Sequence, residues 1–348
     1  MAGVPGVEDP GRLAAWIAAN GGADLGQLHG VRLISGGRSN LTYRLDTAAG
    51  PIVLRRPPLG HVLPTAHDMS REYTVLAALG GTDVPVPAVV ASCTDPEVIG
   101  APFYLMRFVD GLVLRTQEDG AGLTPEQGGQ LSEALAVMLA RIHGVDTDAA
   151  GLGGFGRPAG YLARQLTRWQ RQWELSATRE VPGYERLVGR LAAGLPASAG
   201  GTLVHGDFRL DNTLVTLGAE PAIQAVVDWE MSTLGDPLAD LGLTLIYWAD
   251  PDDREWLALN VGAAVTARPG FYTAARFAAR YAELTGRDVS GIGYYMAFGC
   301  FKLAVVLEGI HARYLQRQTV GEGFEREGTA VPVLIERAHR MLDVSPLS

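Results

Sequence analysis

The run His205-Gly206-Asp207-Phe208-Arg209-Leu210-Asp211-Asn212 sets an Asp and an Asn five positions apart, and Asp228-Trp229-Glu230 supplies a further carboxylate downstream. Oxygen donors of this kind suit a hard cation such as Mg²⁺. Moving a phosphoryl group onto a hydroxyl needs a base near the acceptor and a cation cradle on the phosphates. Asp207 fits the base, taking or orienting the hydroxyl proton, while Asn212 and Asp228 fit the metal ligands. A His-Gly-Asp tripeptide by itself is an ordinary turn; its position between strands and the later Asp give it weight. His205 reads as a hydrogen-bonding member of the loop and not as a proton shuttle.

These groups need elements to hold them. Thr202-Leu203-Val204 predicts a short strand before the loop, and Ile223 to Val227 predicts a second that delivers Asp228. Asp236 can cap a helix starting at Pro237, and Asp236 and Asp240 are expected to buttress the loop. Upstream, Asp9-Pro10 opens a helix through Trp16. Val31 to Ile34, Leu41 to Leu45 and Ile52 to Arg55 predict three strands, the first two joined by the Gly-rich turn Ser35 to Asn40. Ser70 to Leu79 has helical spacing, Val84 to Pro87 is extended, and Phe103 to Met106 is another strand. After Gly111 helices dominate. One begins at Thr124-Pro125 and ends near His143, taken as a helix-terminal packing residue; another carries Trp169 and Trp173 from Tyr161, as core or pocket wall. A strand-rich first third followed by a helical remainder predicts an α+β, two-lobed architecture, with an N-lobe over 1–108 and a C-lobe over 109–348.

The ordered motifs resemble the aminoglycoside phosphotransferase and choline kinase superfamily, whose catalytic loop reads H-G-D-x-x-x-x-N and is followed by a metal-binding Asp. Gly235-Asp236-Pro237-Leu238-Ala239-Asp240-Leu241-Gly242 looks like the segment after that Asp. Leu54 to Pro58, Leu63 to His67, Arg71-Glu72-Tyr73 and the stretch from Tyr294 to Leu315 look like the phosphotransferase domain associated with acyl-CoA dehydrogenases. The likeness spans roughly residues 30 to 320.

The resemblance implies a bilobal protein-kinase-like fold with ATP and Mg²⁺ as cofactors. Backbone N–H groups from Gly37 to Asn40, with the Ser39 hydroxyl, would cover the phosphates. Arg55 falls where such enzymes carry a phosphate-pairing Lys, and strand alternation turns Arg56 to the opposite face. Glu72 is the expected partner of Arg55. Met106 would lie behind the adenine, with the Arg107 carbonyl and the Val109 N–H on its edge.

Composition bounds the rest. The chain has 348 residues, 47% hydrophobic and 19% charged, which is ample for a folded two-lobed protein. Net charge −9 argues against nucleic acid as a partner. The N-terminus lacks a basic-then-apolar pattern. The apolar stretch Ile292 to Leu307 contains Lys302, precedes Glu308 and is shorter than the roughly 20 residues of a membrane span, so it reads as a buried helix. Two cysteines, Cys93 and Cys300, build no disulfide framework and suit a cytoplasmic setting. Arg164, Arg168 and Arg171 make one helix basic, and the C-terminal charges are mixed. That favours a neutral or anionic hydroxylated acceptor; the resemblance adds a hydroxyacyl group or its CoA ester, and a link to acyl-CoA dehydrogenase metabolism. The alternatives are an antibiotic or amino-alcohol kinase of the same fold, and a catalytically silent nucleotide-binding protein.

Overall fold

Asp9 starts the fold by accepting the N–H groups of Gly11 and Arg12, which caps α1 (Pro10–Asn20) with Pro10 in its first turn. Such a cap contributes about 1 kcal/mol. The helix runs four residues past Trp16, carrying Leu13 and Ile17 into the small-lobe core. The computed structural model describes residues 3–21, 24–36, 40–59, 68–197, 200–259, 264–316 and 326–343.

The small lobe is an antiparallel sheet. Its strands are β1 (Leu28–Gly36), β2 (Leu41–Thr47), β3 (Gly50–Arg56), β4 (Val89–Cys93) and β5 (Phe103–Arg107), in the order β1-β2-β3-β5-β4. Strand alternation divides the side chains between two cores. Tyr43, Leu45, Ile52, Leu54, Phe103 and Leu105 pack with α1. Val53, Tyr104 and Met106 face the other way, joining Val75 and Leu76 of α2 (Met69–Leu79) in the larger core. Burying one such large apolar side chain is worth about 1.5–3 kcal/mol. Gly37, Ser39 and the segment 63–67 lie outside the described residues.

The large lobe opens with α3 (Pro125–His143), held by a capping box in which Thr124 and Gln127 bond each other's backbone N–H. It continues through α4 (Tyr161–Ser176) and α5 (Tyr184–Ala193), joined by a Trp173–Tyr184 stack with ring centroids 4.1 Å apart. Two ribbons follow. β6 (Thr202–Val204) pairs with β9 (Thr233–Gly235), and β7 (Thr213–Thr216) with β8 (Ala222–Val226). Then come α6 (Pro237–Tyr247), α7 (Arg254–Leu259), α8 (Ala274–Thr285), α9 (Ile292–Leu315) and α10 (Glu327–Asp343). By length and composition α9 could cross a membrane, yet 78% of its most apolar window is buried between neighbouring elements. It packs chiefly against α6 and α10 and reaches α4.

Within the large lobe, Leu112 and Val215 exchange backbone hydrogen bonds of 2.8 and 2.9 Å, anchoring the chain soon after β5. Two features join the lobes. The Val226 N–H donates to the Pro85 carbonyl at 2.8 Å. Arg71 lies over the Phe155 ring and donates to the Phe155 and Ser232 carbonyls.

Candidate active site

Three short strands and two helix ends converge on the loop that follows β6. Asp236 caps α6 through the Leu238 N–H, which places Asp240 one turn in and fully buried. Its carboxylate accepts the His205 N–H at 2.7 Å and the Gly206 N–H at 2.9 Å. Burial works against that charge, but the hydrogen bond from His143 and the fields of His143 and His205 outweigh it and hold Asp240 below the usual carboxylate range. His143 Nε2 lies 3.2 Å from Asp240, and its Nδ1 lies 2.6 Å from the Tyr281 hydroxyl. His143 therefore does more than pack at a helix end. It ties α3 and α8 to the loop through a polar chain.

The loop itself is tightly specified. Gly206 adopts φ +83°, and a Cβ there would meet the Met231 carbonyl at 2.6 Å. Its own carbonyl accepts from Lys302 of α9 at 2.8 Å. The His205 ring bonds the Val227 carbonyl at 3.0 Å, and Thr244 bonds the Phe208 carbonyl at 2.8 Å. The Asn212 amide donates to the Asp207 carbonyl at 2.8 Å and to the Asp207 carboxylate at 3.1 Å. The Asn212 carbonyl in turn accepts the Val227 N–H at 2.9 Å, one residue before Asp228. Asp207, Asn212 and Asp228 are thereby brought together on one hydrogen-bonded frame. Asp207 and Asp228 remain 25% and 30% exposed, open to a ligand, while Asn212 is buried.

Asp228 has φ +66°, the only positive value at a non-glycine residue among those described. The left-handed conformation costs about 1–2 kcal/mol for an L-residue, least for Asn and Asp. Such strain clusters at functional sites.

Arg55 spans the gap between the lobes. Its Nε lies 3.0 Å from Glu72, and its Nη2 lies 2.5 Å from Asp228. Burial alone would weaken the guanidinium charge, but Glu72 and Asp228 raise its pKa well above the ordinary arginine value. Glu72 is pushed upward by burial, with Arg55 opposing. Its other oxygen accepts the Trp229 N–H at 3.2 Å. Arg56 faces the opposite core and donates to the carbonyls of Gly6 and Ile99.

The remaining expected nucleotide residues are placed as follows. Asn40 is buried, and its side-chain amide donates to Glu230 at 2.9 Å, linking the Gly-rich turn to the segment after Asp228. Met106 is buried in β5 opposite Val53. Arg107 turns its side chain outward to Asp24 at 2.5 Å, and Val109 is half-buried at the crossing between lobes.

Three polar neighbours were not assigned from the sequence. Arg209 lies 3.4 Å from Asp207 and 3.1 Å from Asp211, over the Tyr247 ring. It is partly buried, and desolvation works against its charge, but Asp207, Asp211 and Asp228 outweigh that and raise its pKa above the ordinary arginine value. Tyr247 is pushed upward, first by burial and then by Asp207. Lys302 projects from the apolar helix α9 toward the Trp169 ring and the Gly206 carbonyl; its burial lowers its pKa, with Asp207 and Asp240 opposing. Position within the loop was the only sequence signal for Arg209; for Lys302 it was a lone charge in an apolar run.

This donor set tests the fit of a metal nucleotide. Asp207, Asn212 and Asp228 present oxygens only, as Mg²⁺ prefers. Among the described residues no three His, Cys, Asp or Glu side chains group to hold an ion by themselves. Mg²⁺ is commonly bound by one or two carboxylates, with phosphate oxygens and water completing the shell.

The chain belongs to the APH phosphotransferase enzyme family, whose model matches residues 30–275. A crystal structure from Ralstonia eutropha, of a protein provisionally assigned as an aminoglycoside phosphotransferase, shares 32% identity and a TM-score of 0.80, covering 97% of this chain and 99% of that one. The GDP complex of aminoglycoside 2'-phosphotransferase-IIIa shares the fold at 15% identity, TM-score 0.61, covering 94% and 97% of the two chains. Acyl-CoA dehydrogenase family member 10 of mouse is 36% identical over 87% of this chain and 28% of its own length. Family member 11 of chicken is 34% identical over 88% and 40%. The chain thus spans well under half the length of these curated relatives.

Proposed function

We propose that the protein is a Mg-ATP-dependent phosphotransferase acting on a hydroxyl of a small molecule, with a hydroxyacyl group or its CoA ester as the favoured acceptor. The observation that carries this is the Asp207–Asn212–Val227 hydrogen-bond frame, which holds a partly exposed carboxylate beside two candidate oxygen ligands. In this reading Asp207 takes the acceptor proton as the hydroxyl oxygen bonds to phosphorus and the bond to the leaving nucleotide oxygen breaks. Arg55, held by Glu72, pairs with phosphate oxygens, and Asn212 and Asp228 hold Mg²⁺. Bound Mg²⁺ supplies neutralisation of phosphate charge. The β5 crossing at Met106, Arg107 and Val109 receives the adenine, and the two lobes divide at 108/109.

Structural neighbours solved with GDP, or with ADP and hygromycin B, support a nucleotide in the cleft. The dehydrogenase-named relatives support the acyl acceptor and a link to that metabolism. The two cysteines are free and buried, which suits a reducing, cytoplasmic setting. The test is Mg-ATP turnover screened against hydroxyacyl-CoAs, aminoglycosides, choline and homoserine. Acceptor-dependent ADP release with the hydroxyacyl thioesters is expected. Turnover confined to aminoglycosides or amino alcohols would replace the acceptor, and nucleotide binding without transfer to any of them would replace the enzyme with a silent binder.

A further inference from the structure

Lys302 is the only lysine in the chain; every other one of its 29 Lys and Arg residues is an arginine. It stands in α9 between Phe301 and Leu303, both buried, and no other residue from Ile292 to Leu307 is charged. An ammonium brought among apolar side chains gives up hydration and needs partners in return. Lys302 has two. Its Nζ lies 5.6 Å from the centroid of the Trp169 ring, within cation–π range, and donates to the Gly206 carbonyl at 2.8 Å. The side chain thus meets α4 on one side and the loop after β6 on the other.

Opposite charges grip Gly206 from two helices. Asp240 of α6 accepts the Gly206 N–H at 2.9 Å, which fixes the peptide before it. Lys302 of α9 fixes the peptide after it, whose nitrogen belongs to Asp207. The Asp207 N–H donates to His205 Nδ1 at 3.3 Å. Of the two bonds to this peptide, the shorter and charge-assisted one therefore comes from Lys302. The fields of Asp207 and Asp240 both favour the Lys302 charge against its burial. With Gln165, Trp169, Leu243 and Phe298, Lys302 lines a cavity of about 20 Å³, room for about one water. That space suits a compact ammonium better than the planar, bulkier guanidinium used at every other Lys or Arg position.

We propose that Lys302 is a positioning residue for the catalytic loop: its ammonium, seated on Trp169, holds the Gly206 carbonyl and so sets where Asp207 stands. The hold on the loop is a property of the fold; its consequence for transfer rests on Asp207 acting as the base.

Two measurements on K302M keep these apart. Met preserves length and suits an apolar helix, so the melting temperature is expected to stay the same or rise. Hydrogen exchange of the peptide covering 203–212 is nevertheless expected to quicken about tenfold or more, with exchange elsewhere unchanged. In phosphoryl transfer, kcat is expected to fall about 10- to 100-fold, with little change in KM for ATP, because the base is displaced and the nucleotide contacts are not. Should K302M lose its cooperative melt, K302Q is read in the same way. Wild-type exchange of the loop in a folded variant overturns the proposal, and so does a loosened loop with wild-type kcat. Loop exchange is read without turnover. A wild-type protein that transfers to no acceptor thus defeats the kinase reading, while a quickened loop in K302M still upholds the hold of Lys302 on Gly206.

Discussion

Arg55 donates to Asp228 at 2.5 Å across 173 positions of sequence, and this contact ties the third strand of the small lobe to the strained residue after β8. Glu72 completes the bridge from α2. A buried charge that loses its partner costs about 3–5 kcal/mol. Arg55→Ala is therefore expected to destabilise the fold by about 3 kcal/mol and to raise KM for ATP about tenfold or more, with Arg55→Lys recovering part of both. Arg56→Ala removes hydrogen bonds to Gly6 and Ile99 instead, so a stability loss of about 1–3 kcal/mol with little change in KM is expected. Urea unfolding and steady-state kinetics on the three variants check the division. Equal KM effects from Arg55 and Arg56 would contradict it.

Asp240 makes a prediction in pH. Its folded pKa lies below the ordinary Asp value, held there against burial by His143 and His205. A depressed carboxylate contributes stability that is present above the unfolded pKa of about 4 and is lost as pH falls through the lower folded value. Asp240→Asn keeps the shape but loses the charge and one of the two acceptors for His205 and Gly206. The variant should be less stable at pH 7, and the gap should narrow as pH drops below about 4. Unfolding free energy measured across pH 2–7 gives both slopes. Parallel curves would mean that Asp240 is not an ionised anchor of the loop.

Much of this frame was legible in the sequence because it rests on short-range rules. The Asp9, Thr124 and Asp236 caps, the first three strands and the alternation separating Arg55 from Arg56 follow from local chemistry. β4 was missed because a five-residue edge strand after two prolines carries little pattern. β7 and β9 were missed because four and three residues are too few for a period. The His143–Asp240 contact joins residues 97 positions apart, and Lys302 meets Gly206 across 96. No spacing rule reaches that far; only packing of α9 and α3 around the loop brings those groups in.

Asp228 can be tested without disturbing its backbone. Asn tolerates the left-handed conformation as Asp does, so Asp228→Asn removes charge and keeps the turn. Mg²⁺-dependent ATP turnover should fall by about 100-fold or more, in line with loss of the main anionic ligand to the metal nucleotide. The melting temperature reports whether the fold survives. Near wild-type turnover in a folded variant would remove Asp228 from the metal site.

The central claim is that Asp207 acts on the acceptor and not on the fold or the nucleotide. Asp207→Asn preserves size and leaves the Asn212 bond to the Asp207 carbonyl in place. The decisive measurement pairs calorimetric binding of Mg-ATP with phosphoryl transfer to the acceptor identified by the screen. Near-normal nucleotide affinity is expected together with a drop in transfer of about 10²–10⁴-fold, the usual contribution of a positioned base. Transfer within a few-fold of wild type, or loss of ATP binding along with transfer, would contradict the account.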